Sequence, residues 1–129
     1  MKNVIDLARK IVLYDTQDTT AFETNAEFVI QDTDTGVYTQ FDGTSIVELT
    51  QAQIDDVNAQ ITEWKWHNIR ILRDAKLAAT DWTQTLDAPI TAYNQTEFQT
   101  YRQALRDIPT TYTNPDDVVW PTEPAPVKK

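Results

Sequence analysis

The longest regular pattern in the chain runs from Thr50 to Ala78. There Ile54, Val57, Ile61, Trp64, Asn68, Ile71, Ala75 and Ala78 recur at alternating steps of three and four. That spacing returns to one face of a helix and predicts one long helix carrying a heptad seam, with Asn68 as its single polar position. Thr50 precedes the pattern and Gln53 follows three residues on, a capping-box spacing in which each side chain satisfies an otherwise orphan backbone donor. No Pro or Gly interrupts the run before Pro89, and Thr80-Asp81 marks its expected end. Asp55, Asp56 and Glu63 lie toward the N-terminal end and Arg70, Arg73 and Lys76 toward the C-terminal end, the order that suits the helix dipole. A shorter apolar face, Phe98, Tyr101 and Leu105 with Ala104 beside them, predicts a second helix starting near Thr91 or Thr96. Pro109 is expected to end it, because proline disfavours helical geometry in the residue before it.

Upstream of Thr50 the period shortens. Phe28-Val29-Ile30 and Val37 to Phe41 are β-rich segments flanking Asp32 to Gly36, a turn that ends in glycine, and together they predict a β-hairpin. Asp42-Gly43 closes its second strand, and Ser45 to Glu48 offers a short third one. Val4 to Tyr14, with Val4, Ile5, Leu7, Ala8, Ile11, Val12 and Leu13, fits a short amphipathic helix or a helix running into a strand; Asp15 to Thr20 reads as a loop. At the other end, Tyr112 to Trp120 is expected to be extended, and Pro121 to Pro126 a mobile or polyproline-like tail. The pattern therefore predicts an α+β fold, an N-terminal β-hairpin or small antiparallel sheet followed by a long helix, a shorter helix and an extended Pro-rich segment. The expected division is a β-containing region over 1–49, a helical domain over 50–124 and a flexible tail over 125–129.

Composition narrows the chemistry. With 129 residues and 40% hydrophobic content the chain can build a modest core, but not separate substrate and cofactor domains. A formal net charge of −9 repels phosphate backbones, which argues against nucleic acid and suits a basic protein partner. There is no cysteine, hence no disulfide, thiolate or cysteine metal site. No apolar run reaches bilayer-spanning length, and Asp6 and Arg9 break any signal-peptide layout, so the expectation is a cytoplasmic protein that binds no membrane. Asp32 and Asp34 alternate as in a calcium loop, but Gly36 falls one position early and the bidentate glutamate is missing, leaving a polar turn. His67 has only Glu63 at helical spacing and reads as a surface histidine. Ser45, the sole serine, has no nucleophile-elbow context. Glu23, Glu27, Glu48, Glu63 and Glu97 sit in polar or amphipathic settings unlike a glycosidase carboxylate pair. No catalytic residue, cofactor or metal is expected.

Aromatic residues offer a different chemistry. Trp64, Trp66, Trp82 and Trp120 combine large apolar faces with a polar handle, a combination enriched both in small cores and at interface hot spots. Trp82 and Trp120 fit a clamp between the two helices. Trp64 and Trp66 point to different sides of the long helix, so the two readings stay open for them. These two, with Phe28, Tyr38 and Phe41 of the hairpin, are the expected partner-binding residues.

One stretch is more specific. Arg73-Asp74, Leu77, Ala79, Thr80 to Gln84, Asp87-Ala88-Pro89 and Thr91 lead into Tyr101-Arg102-Gln103-Ala104-Leu105-Arg106-Asp107-Ile108-Pro109, and then Asn114-Pro115, Val118 to Pro121 and Pro124. This collinear, tryptophan-anchored series closely resembles the phage tail assembly chaperone family over about two-fifths of the chain. A tryptophan common in that family just before the Tyr-Arg-Gln run is Phe98 here, so an aromatic is kept. The resemblance takes Asp81, Trp82, Tyr101, Arg102, Gln103, Leu105, Arg106, Asp107, Pro109, Trp120 and Pro121 as family motif residues. It implies a non-enzymatic protein that binds phage tail or tail-fibre proteins in the host cytoplasm during assembly. The alternative is a structural part of the mature phage tail, a fibre or baseplate adaptor, made a homotrimer by the seam of the long helix. The motif alone reads as a device that locks a fold, with Arg102 and Asp107 as its ion-pairing members. Residues Met1 to Leu49 lie outside it.

Overall fold

The computed structural model describes residues 1–129. Five strands, β1 (Lys2–Asp6), β2 (Ile11–Leu13), β3 (Phe28–Asp32), β4 (Tyr38–Phe41) and β5 (Ile46–Glu48), form one sheet. Its order is β2-β1-β3-β4-β5 and every neighbouring pair is antiparallel. The long helix α1 (Gln51–Thr80) and the shorter α2 (Ala92–Thr111) follow, giving an α+β fold. Two compact units share α1: Met1–Trp64 and Lys65–Lys129. The boundary expected near residue 49 marks the start of the helix, whereas the compact units part within it.

In the first unit, Val4 to Tyr14 is a β-hairpin and not the helix its apolar density suggested. Val4 and Ile5 are adjacent and both fully buried, which a strand achieves by sending them to opposite faces. Asp6 enforces the turn. Its buried carboxylate accepts from the Ala8 and Arg9 N–H groups at 3.1 and 3.0 Å, and the Lys10 N–H reaches the Asp6 carbonyl at 2.9 Å. Ile5, Val29 and Tyr38 form the core with Leu49 and with Val57 of α1, and Ile54, Ile61 and Trp64 pack against it. On the other sheet face Val4 pairs with Ile30, and Phe22, from the 3₁₀ turn Thr20–Phe22, meets Phe28 edge-on at 4.9 Å.

The predicted hairpin is β3–β4. Asp32 organises its turn: its side chain accepts from the Asp34 N–H at 3.0 Å and its carbonyl from Gly36, which sits at φ 74° where glycine is favoured. The short third strand is β5, entered through Asp42. The Ser45 and Thr44 N–H groups donate to that carboxylate at 2.9 and 2.8 Å and hold its pKa below the usual carboxylate range.

In α1 the capping box forms as the spacing predicts, with Thr50 N–H to Gln53 Oε1 at 2.9 Å and Gln53 N–H to Thr50 Oγ1 at 3.3 Å. The heptad seam holds only halfway. Ile54, Val57, Ile61 and Trp64 pack on the sheet core, but Asn68, Ile71, Ala75 and Ala78 are exposed. The C-terminal half of the helix instead packs through Trp66, Ile69 and Leu77 on a core of Ala88, Ile90, Phe98, Tyr101, Leu105 and Ile108.

Helix α2 starts at the Thr91 N-cap, whose hydroxyl accepts from the Asn94 N–H at 3.1 Å. It does not stop at Pro109. The helix continues to Thr111, with Tyr112 N–H closing on the Ile108 carbonyl at 3.1 Å. Ile108 is buried in the core, and that packing outweighs the single backbone bond proline removes. The segment expected as a free tail is likewise tied down. Buried Asn94 donates to the Ala125 carbonyl at 3.0 Å and accepts from the Val127 N–H at 2.8 Å, while Thr91 N–H reaches the Val127 carbonyl at 2.9 Å. Ile90 and Lys128 form an antiparallel bridge there.

Candidate interaction surfaces

The motif residues separate by helical phase into an inner and an outer set. Tyr101, Arg102, Leu105 and Ile108 are buried, whereas Gln103, Arg106, Asp107 and Pro109 are exposed. Arg102 is the centre of the inner set. Its guanidinium donates from Nη1 to the Leu77 carbonyl at 2.6 Å and to Thr80 Oγ1 at 2.8 Å, and from Nη2 to Asp81 at 2.7 Å. The carbonyl it reaches lies in the last turn of α1, where orphan acceptors and the negative dipole end favour a cation. Its Nε–H is buried without a partner. This is the fold-locking role the sequence assigned to Arg102. Asp107 does otherwise: it accepts from Gln103 one turn back on the exposed side of α2.

Around that centre the chain between the helices is held by Thr83, which lies within the resemblance series, and by Gln95, which the sequence did not single out. Fully buried Thr83 donates to the Thr80 carbonyl at 2.6 Å, and Gln95 donates to the carbonyls of Thr83 and Thr85 at 3.0 and 3.1 Å. For Gln95 the only signal was a polar residue near the buried phase of α2. Tyr101 packs in the same core; burial, with a smaller contribution from the Glu123 charge, pushes its phenol above the ordinary value. Trp120 and half-buried Pro121 follow α2, and the Lys76 ammonium sits 5.4 Å from the Trp120 ring centre. Trp82 meets Phe98 at 6.2 Å between ring centres but keeps an exposed side.

Most of the expected partner-binding aromatics look inward. Tyr38 is buried, accepts from Gln31 at 2.9 Å and donates to Asn58 at 3.4 Å. Phe28 is engaged with Phe22, and Phe41 is half-buried on β4. Trp64 packs against the sheet core and Trp66 against the helical core, so the two tryptophans serve different units. What the second unit leaves in water is a different apolar set. Leu86 is fully exposed and Tyr93 is 77% exposed, close in sequence to Trp82, and Ile71 and Leu72 are half-exposed on α1.

The inner motif set thus builds one helical unit, and its sequence matches known proteins over that unit. Residues 66–125 match the phage tail assembly chaperone protein family. The matched region takes in the C-terminal half of α1, all of α2 and the segment that returns to Asn94, close to the compact unit Lys65–Lys129. It is the region whose motifs showed the resemblance. No curated protein and no solved structure matches the chain. No group of three or more histidine, aspartate or glutamate side chains is arranged to hold a metal ion. His67 is exposed on α1. No helix is long and apolar enough to cross a membrane.

Proposed function

We propose that this protein is a non-enzymatic phage tail assembly chaperone that acts in the host cytoplasm by binding other tail or tail-fibre proteins. The observation that carries this reading is the family match over residues 66–125. The burial of Tyr101, Arg102 and Leu105 supports assigning the motif to folding of the unit, which leaves binding to its outer side chains. Trp82, Leu86 and Tyr93 are the contacts we assign, because large apolar groups held in water gain most from a partner surface. Trp64, Trp66, Phe28, Tyr38 and Phe41 have less free area, since all five are buried or half-buried. An affinity pull-down of tagged protein from infected cells is expected to recover a tail protein, and Leu86→Ser with Trp82→Ala to lose it. Recovery of no tail protein sinks the reading.

A second reading, a structural component of the mature tail, draws on the exposed half of the seam. Ile71 stands half-exposed beside Asn68, a residue pair that suits a homo-oligomer with a fixed register. Mass spectrometry of purified particles separates the readings, because a stoichiometric virion protein is not a transient chaperone. Light scattering at high concentration tests the oligomer.

A further inference from the structure

The charge of the chain is not spread over it. Met1–Trp64 carries three Lys and Arg residues against twelve Asp and Glu, while Lys65–Lys129 carries eight against eight. The whole net charge of −9 therefore sits on the β-containing unit, which lies outside the family match.

That unit also has an uncovered sheet edge. β5 is the last strand in the order, and β4 is the element it packs against. The Asp42 N–H bonds to the Ser45 carbonyl and the Leu49 N–H to the Tyr38 carbonyl, and the register pairs Gln40 with Val47. In an antiparallel ladder bonded pairs alternate with non-bonded ones, so Ser45, Val47 and Leu49 face β4. The N–H and C=O groups of Ile46 and Glu48 consequently point away from the sheet. Ile46 is 47% and Val47 40% exposed. The opposite edge, β2, is bracketed by Lys10 and Asp15, both at positive φ, and the Asp15 N–H is bonded to the Asn3 side chain. Those turns bracket β2 closely on both sides, whereas Gly43, at φ 101°, precedes β5 and the strand runs on through Glu48 to Leu49.

The two faces of β5 differ in chemistry. Val47 shares its face with Gln40, which lines an open groove of about 380 Å³ together with Leu7, Leu49, Gln53 and Asp56. Ile46 and Glu48 share the other face. We propose that β5 is the docking edge for an extended, lysine- or arginine-rich segment of another protein, which adds as a sixth strand beside Ile46 and Glu48. Backbone pairing supplies the attachment and the acidic surroundings select the charge. A nucleic acid is disfavoured by the same charge. The inference is independent of what the C-terminal unit binds.

The test uses the full chain and a short acetylated peptide repeating Lys-Lys-Val-Val, followed by fluorescence anisotropy and by amide shifts in NMR spectra. Binding is expected to weaken steeply with salt, to move the Ile46 and Glu48 amides most, and to be about tenfold weaker or lost when Glu replaces Lys in the peptide. Ile46→Pro removes an outward donor but no ladder bond, so it should keep the fold and weaken binding about tenfold. N-methylation of alternate peptide residues gives the same loss without touching the protein. Absence of binding, equal binding of the Glu peptide, or shifts confined to residues 66–125 would each overturn the proposal. A pull-down that fails while the peptide still binds β5 would count against the chaperone reading alone.

Discussion

The two units of this protein stabilise themselves in opposite ways. In Met1–Trp64, aliphatic side chains fill both faces of the sheet, and the acidic residues serve turns: Asp6, Asp32 and Asp42 each accept backbone N–H groups where the chain reverses. In Lys65–Lys129, few turns exist, and a buried arginine fastens the end of one helix to the middle of the next. The first unit is strongly acidic and the second neutral. The contrast separates two kinds of sequence constraint. A sheet core can be built from many aliphatic combinations, whereas a buried guanidinium needs acceptors placed at particular positions. The family match falls on the second unit.

The largest expected effect on this contrast comes from Phe98→Ala, which removes a fully buried ring from the helical core. A loss of about 3–5 kcal/mol is expected in urea unfolding followed by tryptophan fluorescence. If the sheet amides lose hydrogen-exchange protection in step, the two units do not hold separate stability. Next comes Arg102→Met, expected to cost about 2–4 kcal/mol because the Leu77 carbonyl and Thr80 hydroxyl lose their donor. Asp81→Asn should cost under about 1 kcal/mol, since Asp81 is 67% exposed and rehydrates. Equal losses for the two would mean that the ion pair, and not the carbonyl contacts, fastens the helices.

Titration probes the contrast from both ends of the pH scale. The Tyr101 pKa is raised in the fold, so its contribution is fully present below the ordinary tyrosine value and is lost as pH rises through the raised one. Tyr101→Phe should remove that alkaline dependence in stability measured against pH. Asp42 has the opposite sign. Its depressed pKa means the contribution is present above the ordinary carboxylate value and is lost as pH falls through the depressed one, and Asp42→Asn should flatten the acid limb slightly. The smallest effect on stability belongs to Leu86→Ser, expected within about 0.5 kcal/mol because the side chain is fully exposed. A larger drop in its melting curve would assign Leu86 to packing and remove it from the proposed partner surface.

Much of the helical half was legible. Thr50 and Gln53 announced the start of α1, Thr80-Asp81 its end, and the motif around Tyr101 and Arg102 lies in the region that matches the family model. The β3–β4 hairpin and β5 were legible through their turns, because Asp and Gly at the reversals act over two or three residues. The first hairpin was not. Its apolar density fits either period, and the residue that decides it, Asp6, reveals its role only when its carboxylate is seen over the Ala8 and Arg9 amides.

What the sequence determined by itself is therefore local or collinear: capping, turn chemistry, helix length, and the ordered motif of the second unit. Only the tertiary structure decided which face of each helix is spent. The heptad seam looked continuous along α1, yet Trp64 serves the sheet core and Trp66 the helical one, leaving Ile71 in water. Pro109 stayed helical because Ile108 is buried, and Asn94 drew the proline-rich end back onto α2. Periodicity records that a residue is apolar and how often the pattern returns. Which surface covers it depends on partners distant along the chain, and their positions exist only once the chain has folded.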